Sequence, residues 1–284
     1  MLTETVNPLK NHSVPDWRRF FSGTDHRWAM GLRRGDLTGF LSPSEFAADV
    51  FAERARWLAD DPQAYAALTP AAEPSLAETI ELARTLGVEI DSTLSSWEQL
   101  LSLGRFWDTD VVWLVADEVG MYRVAGGVVC VPSSWALQDK LGRTLSETHR
   151  HVPGLNTALD RQIETFLQKL VPGEAWLREN VGYSRSSERN QHPNRPRRPL
   201  DAAVSSDEVW VRLEHQMLLK LPLSNSLLFG IRVEVVPLRR VLDSLQAAAD
   251  LTRLLVTIPP EVAEYKGITT ARGAIVSLIQ QPTI

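Results

Sequence analysis

Two histidines near the middle of the chain are the clearest candidates for metal chemistry. His149 and His151 follow an apolar run at residues 126–131 and a short amphipathic turn at 140–143, and a Val-Pro-Gly corner at 152–154 comes directly after them. Because proline cannot continue a helix, rigid elements on both sides should hold these imidazoles. Their spacing of two cannot place both on one face of a helix, so we do not expect them to bind one metal together.

A second set of candidates lies in two predicted strands. Residues 211–218 alternate in polarity, and in the next strand Arg232 interrupts an apolar run. Arg232 either pairs with Glu214 or Glu234 across the hairpin, or it lines the bottom of a pocket for a ligand that bears a carboxylate. The polar side chains that share one face of the first strand are Arg212, Glu214 and Gln216.

The composition excludes several classes of protein. At 284 residues with 44% hydrophobic content, the chain is best interpreted as one elaborated domain. A net charge of −5 argues against nucleic-acid binding. The first eight residues lack a basic targeting region, and no apolar run approaches membrane length, so we expect a cytoplasmic protein without a membrane partner.

Cysteine and nucleotide chemistry are also disfavoured. Cys130 is the single cysteine, so the chain cannot form an intrachain disulfide, a cysteine-based zinc site or its own iron–sulfur cluster. Its place in an apolar strand predicts a raised thiol pKa and a core role. No glycine-rich dinucleotide motif, Walker loop or nucleophile elbow is present.

The periodicity predicts an α+β protein with an antiparallel sheet, because helices and hairpins occur in separate groups. Residues 182–206 are polar and rich in proline, and we interpret them as a solvated loop. The predicted helices are 42–59, 76–86, 95–103, 156–170, 237–255 and 271–280. The predicted strands form two hairpins, 111–117 with 122–131 and 209–221 with 227–236.

Several motifs in this order resemble the heme-dependent oxidative N-demethylase family. The resemblance covers most of the chain and lies in residues 30–33, 128–135, 140–143, 149–154, 211–216, 228–232 and 258–267. It implies a PAS-like antiparallel sheet with helices packed on it, heme b bound through one histidine, and oxidation of an amine by dioxygen. It also implies electrons from an external flavin or iron–sulfur partner. The chain then divides into an irregular and helical region, 1–105, and a heme-binding core with C-terminal helices, 106–284.

The resemblance assigns roles to individual residues. His149 matches the histidine of a family pattern in which the next residue but one is proline, and His151 replaces that proline. His149 is therefore the expected iron ligand and His151 the reserve. Glu214 takes the catalytic role of holding an ammonium substrate by charge. The expected donors to the heme propionates are Arg212, Gln216 and Arg232, with Tyr265 and Lys266 at the pocket edge.

Two other functions fit the same residues. One is a PAS-type sensor that binds heme or another small molecule without catalysis, and the other is a structural subunit that has lost heme. The family's usual Asn-Trp pair is Asn180-Val181 here. This departure, with the individual loop at 182–206, leaves the identity of the amine open.

Overall fold

A central antiparallel sheet organises the computed structural model, which describes residues 14–281. The first eight residues, in which the sequence predicts no targeting segment, lie outside this range. Seven strands form the sheet: β1 (Arg33–Arg34), β2 (Ala66–Leu68), β3 (Asp110–Ala116), β4 (Tyr122–Val128), β5 (Ala175–Ser184), β6 (Trp210–Lys220) and β7 (Leu227–Pro237). Their order is β1-β5-β6-β7-β3-β4-β2, and every neighbouring pair is antiparallel.

Eleven α-helices surround the sheet within the described range. They are α1 (Leu37–Leu41), α2 (Ala47–Asp60), α3 (Pro62–Tyr65), α4 (Glu73–Thr85), α5 (Ser96–Phe106), α6 (Leu145–His149), α7 (Leu155–Gln168), α8 (Leu238–Leu242), α9 (Leu245–Thr257), α10 (Pro260–Tyr265) and α11 (Arg272–Gln280). The α+β class and both predicted hairpins are confirmed.

Two predicted helix boundaries are wrong. The helix expected to begin near Ser42 begins at Ala47, because the preceding α1 ends at Leu41 and the chain is extended at Ser42. The helix expected over 237–255 is divided into α8 and α9. Ser244 interrupts it with an extended backbone, and its side chain accepts a hydrogen bond from the amide of Ala247 as an N-cap.

One face of the sheet is packed against most of the helices. Leu213 and Val211 of β6 join the C-terminal helices in one apolar cluster. Val111 and Trp113 of β3 join α2, α4 and α5 in another. We call this the helix face.

The other face of the sheet carries Arg212, Glu214 and Gln216, and we call it the site face. At one end, Leu167 and Leu170 at the C-terminal end of α7 pack on Leu114 and Leu227. Phe166 reinforces this contact by meeting Trp176 edge to face, with 5.1 Å between ring centroids. The polar side chains lie beyond this apolar patch, towards the end of the sheet where β5 stops.

Candidate functional site

The short helix α6 places His149 beside the site face. A capping box starts this helix, since Thr144 Oγ1 accepts from the Glu147 amide at 3.2 Å and Glu147 Oε2 accepts from the Thr144 amide at 2.8 Å. His149 is its last residue. The corner that follows is closed by Gly154, which has a φ of +74° and lies against Trp28. The two predicted rigid elements around the histidine are thus present.

One ring nitrogen of His149 is free to bind a ligand. Its Nδ1 atom is buried and has no hydrogen-bond partner among residues 14–281. Burial lowers the pKa of His149 to about 4, and the positive charges of Arg178 and Lys140 act in the same direction. The imidazole is therefore neutral near pH 7, which is the form that binds iron. His151, by contrast, is exposed.

Glu214 lies in the middle of the site face and is 7% exposed. Its Oε2 atom accepts hydrogen bonds from Asn180 Nδ2 at 3.0 Å and from Gln216 Nε2 at 2.8 Å. Both bonds go to the same oxygen. Oε1 accepts no hydrogen bond from the described residues, so it is available to a ligand.

Arg178 of β5 stands directly opposite Gln216 and therefore shares the site face. Its guanidinium makes no hydrogen bond or ion pair with any described residue, and its Nε atom is buried. Burial lowers the pKa of Arg178, while the charges of Glu214 and Glu179 act against this effect. Glu179 lies on the helix face in a bidentate ion pair with Arg33. Arg178 is thus a partly buried cation without a direct partner.

Arg212 also lies on the site face, but its guanidinium is already engaged. It is 2% exposed and donates to the backbone oxygens of Glu188 at 3.0 Å and Arg189 at 2.7 Å. It also donates to Ser133 Oγ at 3.2 Å. Burial lowers its pKa to about 10, and the charge of Glu214 opposes this shift. All these direct acceptors are uncharged.

Arg232 does not join the other candidates. It pairs with His215, so its side chain projects from the helix face. The predicted pairing of Arg232 with Glu214 or Glu234 is wrong, because its Nη2 atom donates to Asp108 Oδ1 at 2.6 Å. Neighbouring residues of a strand point to opposite faces of the sheet. Because Val233, and not Arg232, pairs with Glu214, Arg232 and Glu214 lie on opposite faces. Through hydrogen bonds to Asp108 and Thr109, this arginine attaches the segment before β3 to strand β7.

Lys266 approaches the site from the end of α10. Its Nζ atom donates to the Val181 backbone oxygen at 2.6 Å, at the edge of β5 that β1 does not cover. Burial lowers the pKa of Lys266, while Glu214 opposes the shift. The neighbouring Tyr265 is 51% exposed, and burial and then Glu214 raise its pKa. Both residues therefore interact electrostatically with Glu214.

The charges around Glu214 do not balance. Three cations, Arg178, Arg212 and Lys266, all interact electrostatically with this one carboxylate. Burial disfavours the charged form of each of these cations, and they outnumber the carboxylate that they share. Such an arrangement favours an anionic ligand.

Two other predicted residues have structural roles. Cys130 is fully buried, and burial raises the pKa of its thiol to about 12, as its apolar strand predicts. His215 is partly exposed on the helix face, where its ring meets Phe20 edge to face at 5.2 Å. Neither residue is placed for chemistry on the site face.

A family model described as "Haem-dependent oxidative N-demethylase, alpha subunit-like" matches residues 83–276, which is more than half of the chain. The chain belongs to this family. The matched region includes the whole of α6, β5, β6 and β7, and therefore His149, Arg178 and Glu214. The helical N-terminal region up to residue 82 lies outside the match.

Within residues 14–281 of this heme-dependent oxidative N-demethylase family member, no helix is long and apolar enough to cross a membrane. The same residues contain no group of three or more His, Cys, Asp or Glu side chains that could hold a metal ion. Two imidazoles in this range, those of His149 and His192, each have a buried ring nitrogen without a hydrogen-bond partner.

Arg178 is the residue that the sequence analysis missed. Strand β5 was not predicted, because its first six residues carry Trp, Arg, Glu and Asn rather than β-branched side chains. A weak signal was present: Trp176, Arg178 and Asn180 alternate with Leu177, Glu179 and Val181. Pairing with β6 then places Arg178 and Asn180 beside Gln216 and Glu214.

Proposed function

We propose that the chain binds heme b through His149 and oxidatively demethylates an amine held at Glu214, using dioxygen. The observation that carries this proposal is the half-buried imidazole of His149, which is neutral near pH 7 and has a buried Nδ1 atom without a hydrogen-bond partner. Membership of the family supports heme as the ligand. An antiparallel sheet with a ligand-binding face also supports a PAS-like architecture.

The side chains on the site face fit a heme. Arg178 has no direct partner among the described residues, so it is the best donor to a propionate, and the neighbouring cations Arg212 and Lys266 also favour an anionic group. Gln216 is occupied by Glu214 and Arg212 by backbone oxygens, so both support the site indirectly. Arg232 has no part in it.

The chain's own residues then bind and orient the amine. Heme, when bound, supplies the iron that activates dioxygen for this oxidation. Glu214 Oε1 accepts a hydrogen bond from the ammonium group of the substrate, while Asn180 and Gln216 fix the other carboxylate oxygen. This arrangement orients the carbon next to the nitrogen in one direction.

The electrons for the reaction would come from a separate flavin or iron–sulfur protein. With one cysteine, the chain cannot hold its own cluster, and it carries no motif for a nucleotide cofactor. We therefore propose a redox partner or partner subunit, and a reducing compartment such as the cytoplasm.

The first experiment tests the iron ligand. Purified protein loaded with hemin should show a Soret band that is lost in His149→Ala and retained in His151→Ala. Arg178→Met should retain the band but bind hemin more weakly, because a propionate loses its partner. Wild-type protein that remains colourless with hemin would overturn the proposal.

A non-catalytic sensor is the second candidate, because the cations on the site face would attract other small anions as well as the propionates of a heme. The discriminating measurement is dioxygen-dependent release of formaldehyde from dimethylammonium or trimethylammonium, with a chemical reductant as electron donor. Release that stops in Glu214→Gln supports the enzyme. A Soret band without release from any amine tested supports the sensor.

A further inference from the structure

The chain between β5 and β6 crosses the end of the sheet where Arg212 and Glu214 lie. We call residues 185–199 the strap. The polar composition of this segment predicts a solvated loop, but Asn190, Gln191 and His192 are 0%, 7% and 3% exposed. The middle of the strap is therefore packed against the protein, whereas residues 193, 194 and 196–199 are exposed, as the solvated-loop prediction expects.

Backbone hydrogen bonds fasten the strap to the segment that follows β4. The Gln191 amide donates to the Pro132 oxygen at 2.9 Å, and the Ser134 amide donates to the Gln191 oxygen at 3.2 Å. Ser133 and Gln191 form a parallel bridge between these bonds. The strap thus pairs with its neighbour as a short strand would.

Side chains fasten the strap to the N-terminal helices. Asn190 Nδ2 donates to Tyr65 Oη at 2.9 Å, and Arg189 forms an ion pair with Glu53 of α2. The guanidinium of Arg195 stacks on Trp57, 3.9 Å from the ring centroid. These contacts fix the strap to the segment at residues 53–65.

Arg212 provides the contact on the sheet side. Its guanidinium joins the Glu188 and Arg189 oxygens of the strap to Ser133 Oγ. Glu214 is two residues further along the same face, about 7 Å away. Arg212 therefore joins the strap to the sheet face that carries the carboxylate that we propose holds the amine.

We infer that the strap is a fixed wall of the amine-binding space, that Arg212 is the positioning residue that holds this wall in place, and that the wall limits the size of the ligand beside Glu214. This inference rests on the proposed function. It differs from a direct role of Arg212 in cofactor binding, because the guanidinium acts through the backbone of Glu188 and Arg189. It predicts that the site selects against bulky groups on that side.

Limited digestion by trypsin tests the positioning role without any ligand. In the wild type, the bond after Arg189 should resist cleavage, because this side chain is 16% exposed and paired with Glu53. Arg212→Met should expose that bond and raise its cleavage rate about tenfold or more, since buried charge-assisted hydrogen bonds are lost. Arg212→Lys should be intermediate. Arg18→Met, whose arginine side chain is 90% exposed, is the matched control: it loses the cleavage site at residue 18, but the bond after Arg189 should be cleaved at the wild-type rate.

Ligands of two sizes test the role in selectivity. Imidazole and 4-phenylimidazole both bind ferric heme, and we expect the wild type to prefer imidazole. In Arg212→Met the Soret band should persist while this preference falls about tenfold, because the wall can move. A preference equal to the wild type's would overturn the inference.

The outcomes also separate this inference from the proposed function. A wild type that never binds hemin removes the proposed function, yet the trypsin experiment still reports whether Arg212 holds the strap. If Arg212→Met loses the Soret band with unchanged digestion, Arg212 contacts the cofactor directly and the inference is wrong. Unchanged digestion with a retained Soret band would likewise contradict it.

Discussion

Glu214 and Asn180 lie opposite each other on β6 and β5, and Asn180 donates a hydrogen bond of 3.0 Å to one oxygen of the carboxylate. Gln216 donates to the same oxygen from two residues along β6. Both amides donate to Oε2, so they hold the carboxylate in one orientation and leave Oε1 without a hydrogen bond from the described residues.

The first prediction concerns the charge of Glu214. Glu214→Gln keeps the shape of the side chain but removes the negative charge, so the affinity for dimethylammonium should fall about tenfold or more in the hemin-loaded protein. The Soret band should be unchanged. Ligand titration followed by difference absorbance measures both.

Glu234→Gln is the matched control for this prediction. Glu234 lies on the adjacent strand but pairs with Leu213, which places it on the helix face. Its removal should leave amine affinity as in the wild type. Equal losses in the two variants would show that general charge, and not the position of Glu214, attracts the amine.

The second prediction concerns the acid stability of the protein without heme. The pKa of His149 is about 4 in the folded chain and about 6.5 when unfolded, so the unfolded state binds more protons between these values. Above pH 6.5 the imidazole is neutral in both states, so it does not change the free energy of unfolding. As the pH falls towards 4, proton uptake by the unfolded state lowers the free energy of unfolding. The loss from this one group should reach about 3 kcal/mol.

Urea unfolding at a series of pH values measures this loss. His149→Leu should lose less stability than the wild type between pH 6.5 and 4, because the group that takes up the extra proton is gone. His151→Leu should follow the wild type, since His151 is exposed. Parallel curves for the wild type and His149→Leu would contradict the prediction.

The pairing of elements could be predicted where the hydrophobic pattern was strong. The hairpins β3–β4 and β6–β7 and the helix α7 follow directly from the period of their apolar residues. Strand β5 could not be predicted with the same pattern, because it carries Arg178, Glu179 and Asn180 in succession. Its place in the sheet depends on pairing with β6, which is a tertiary interaction.

The site could be predicted residue by residue but not as a whole. His149 and Glu214 stand out by type and context, and the structure places both beside Arg178. Arg212 and Arg232 look equivalent in sequence, yet one holds the strap and the other holds Asp108. The difference comes from strand register, which fixes the face of every side chain and is not visible in one strand alone.

The third prediction tests the corner after His149. Gly154 has a φ of +74°, and a Cβ atom at this position would lie 3.1 Å from Trp28 Nε1. Gly154→Ala should therefore destabilise the protein both through the backbone and through the contact with Trp28. The free energy of unfolding should fall by about 2 kcal/mol or more.

Gly142→Ala separates these two causes. Gly142 has a similar φ of +72°, but nothing lies within 4 Å of its added Cβ. Only the backbone effect of about 1 kcal/mol should remain. If the free energy of unfolding falls equally in both variants, Trp28 does not support the corner and has no part in holding His149.

The fourth prediction concerns the ion pair of Arg54 and Asp110, whose side chains are 0% and 1% exposed. Asp110 also accepts hydrogen bonds from the amides of Cys130 at 2.8 Å and Val131 at 3.0 Å. Either Arg54→Met or Asp110→Asn leaves a buried charge without its partner, so each should lower the free energy of unfolding by about 3 kcal/mol or more. The double variant should lose less than the sum of the two single losses, because the unpaired charge is then absent.

The exposed pair of Arg253 and Asp25 is the control for this prediction, with side chains 56% and 67% exposed. Arg253→Met should lower the free energy of unfolding by less than about 1 kcal/mol in the same urea experiment. Asp110 fixes the backbone that leads to Ser133, so Asp110→Asn should also speed trypsin cleavage after Arg189 in the strap. Strongly destabilised Asp110→Asn protein with a protected strap would show that Arg212 holds the strap without support from the Asp110 segment.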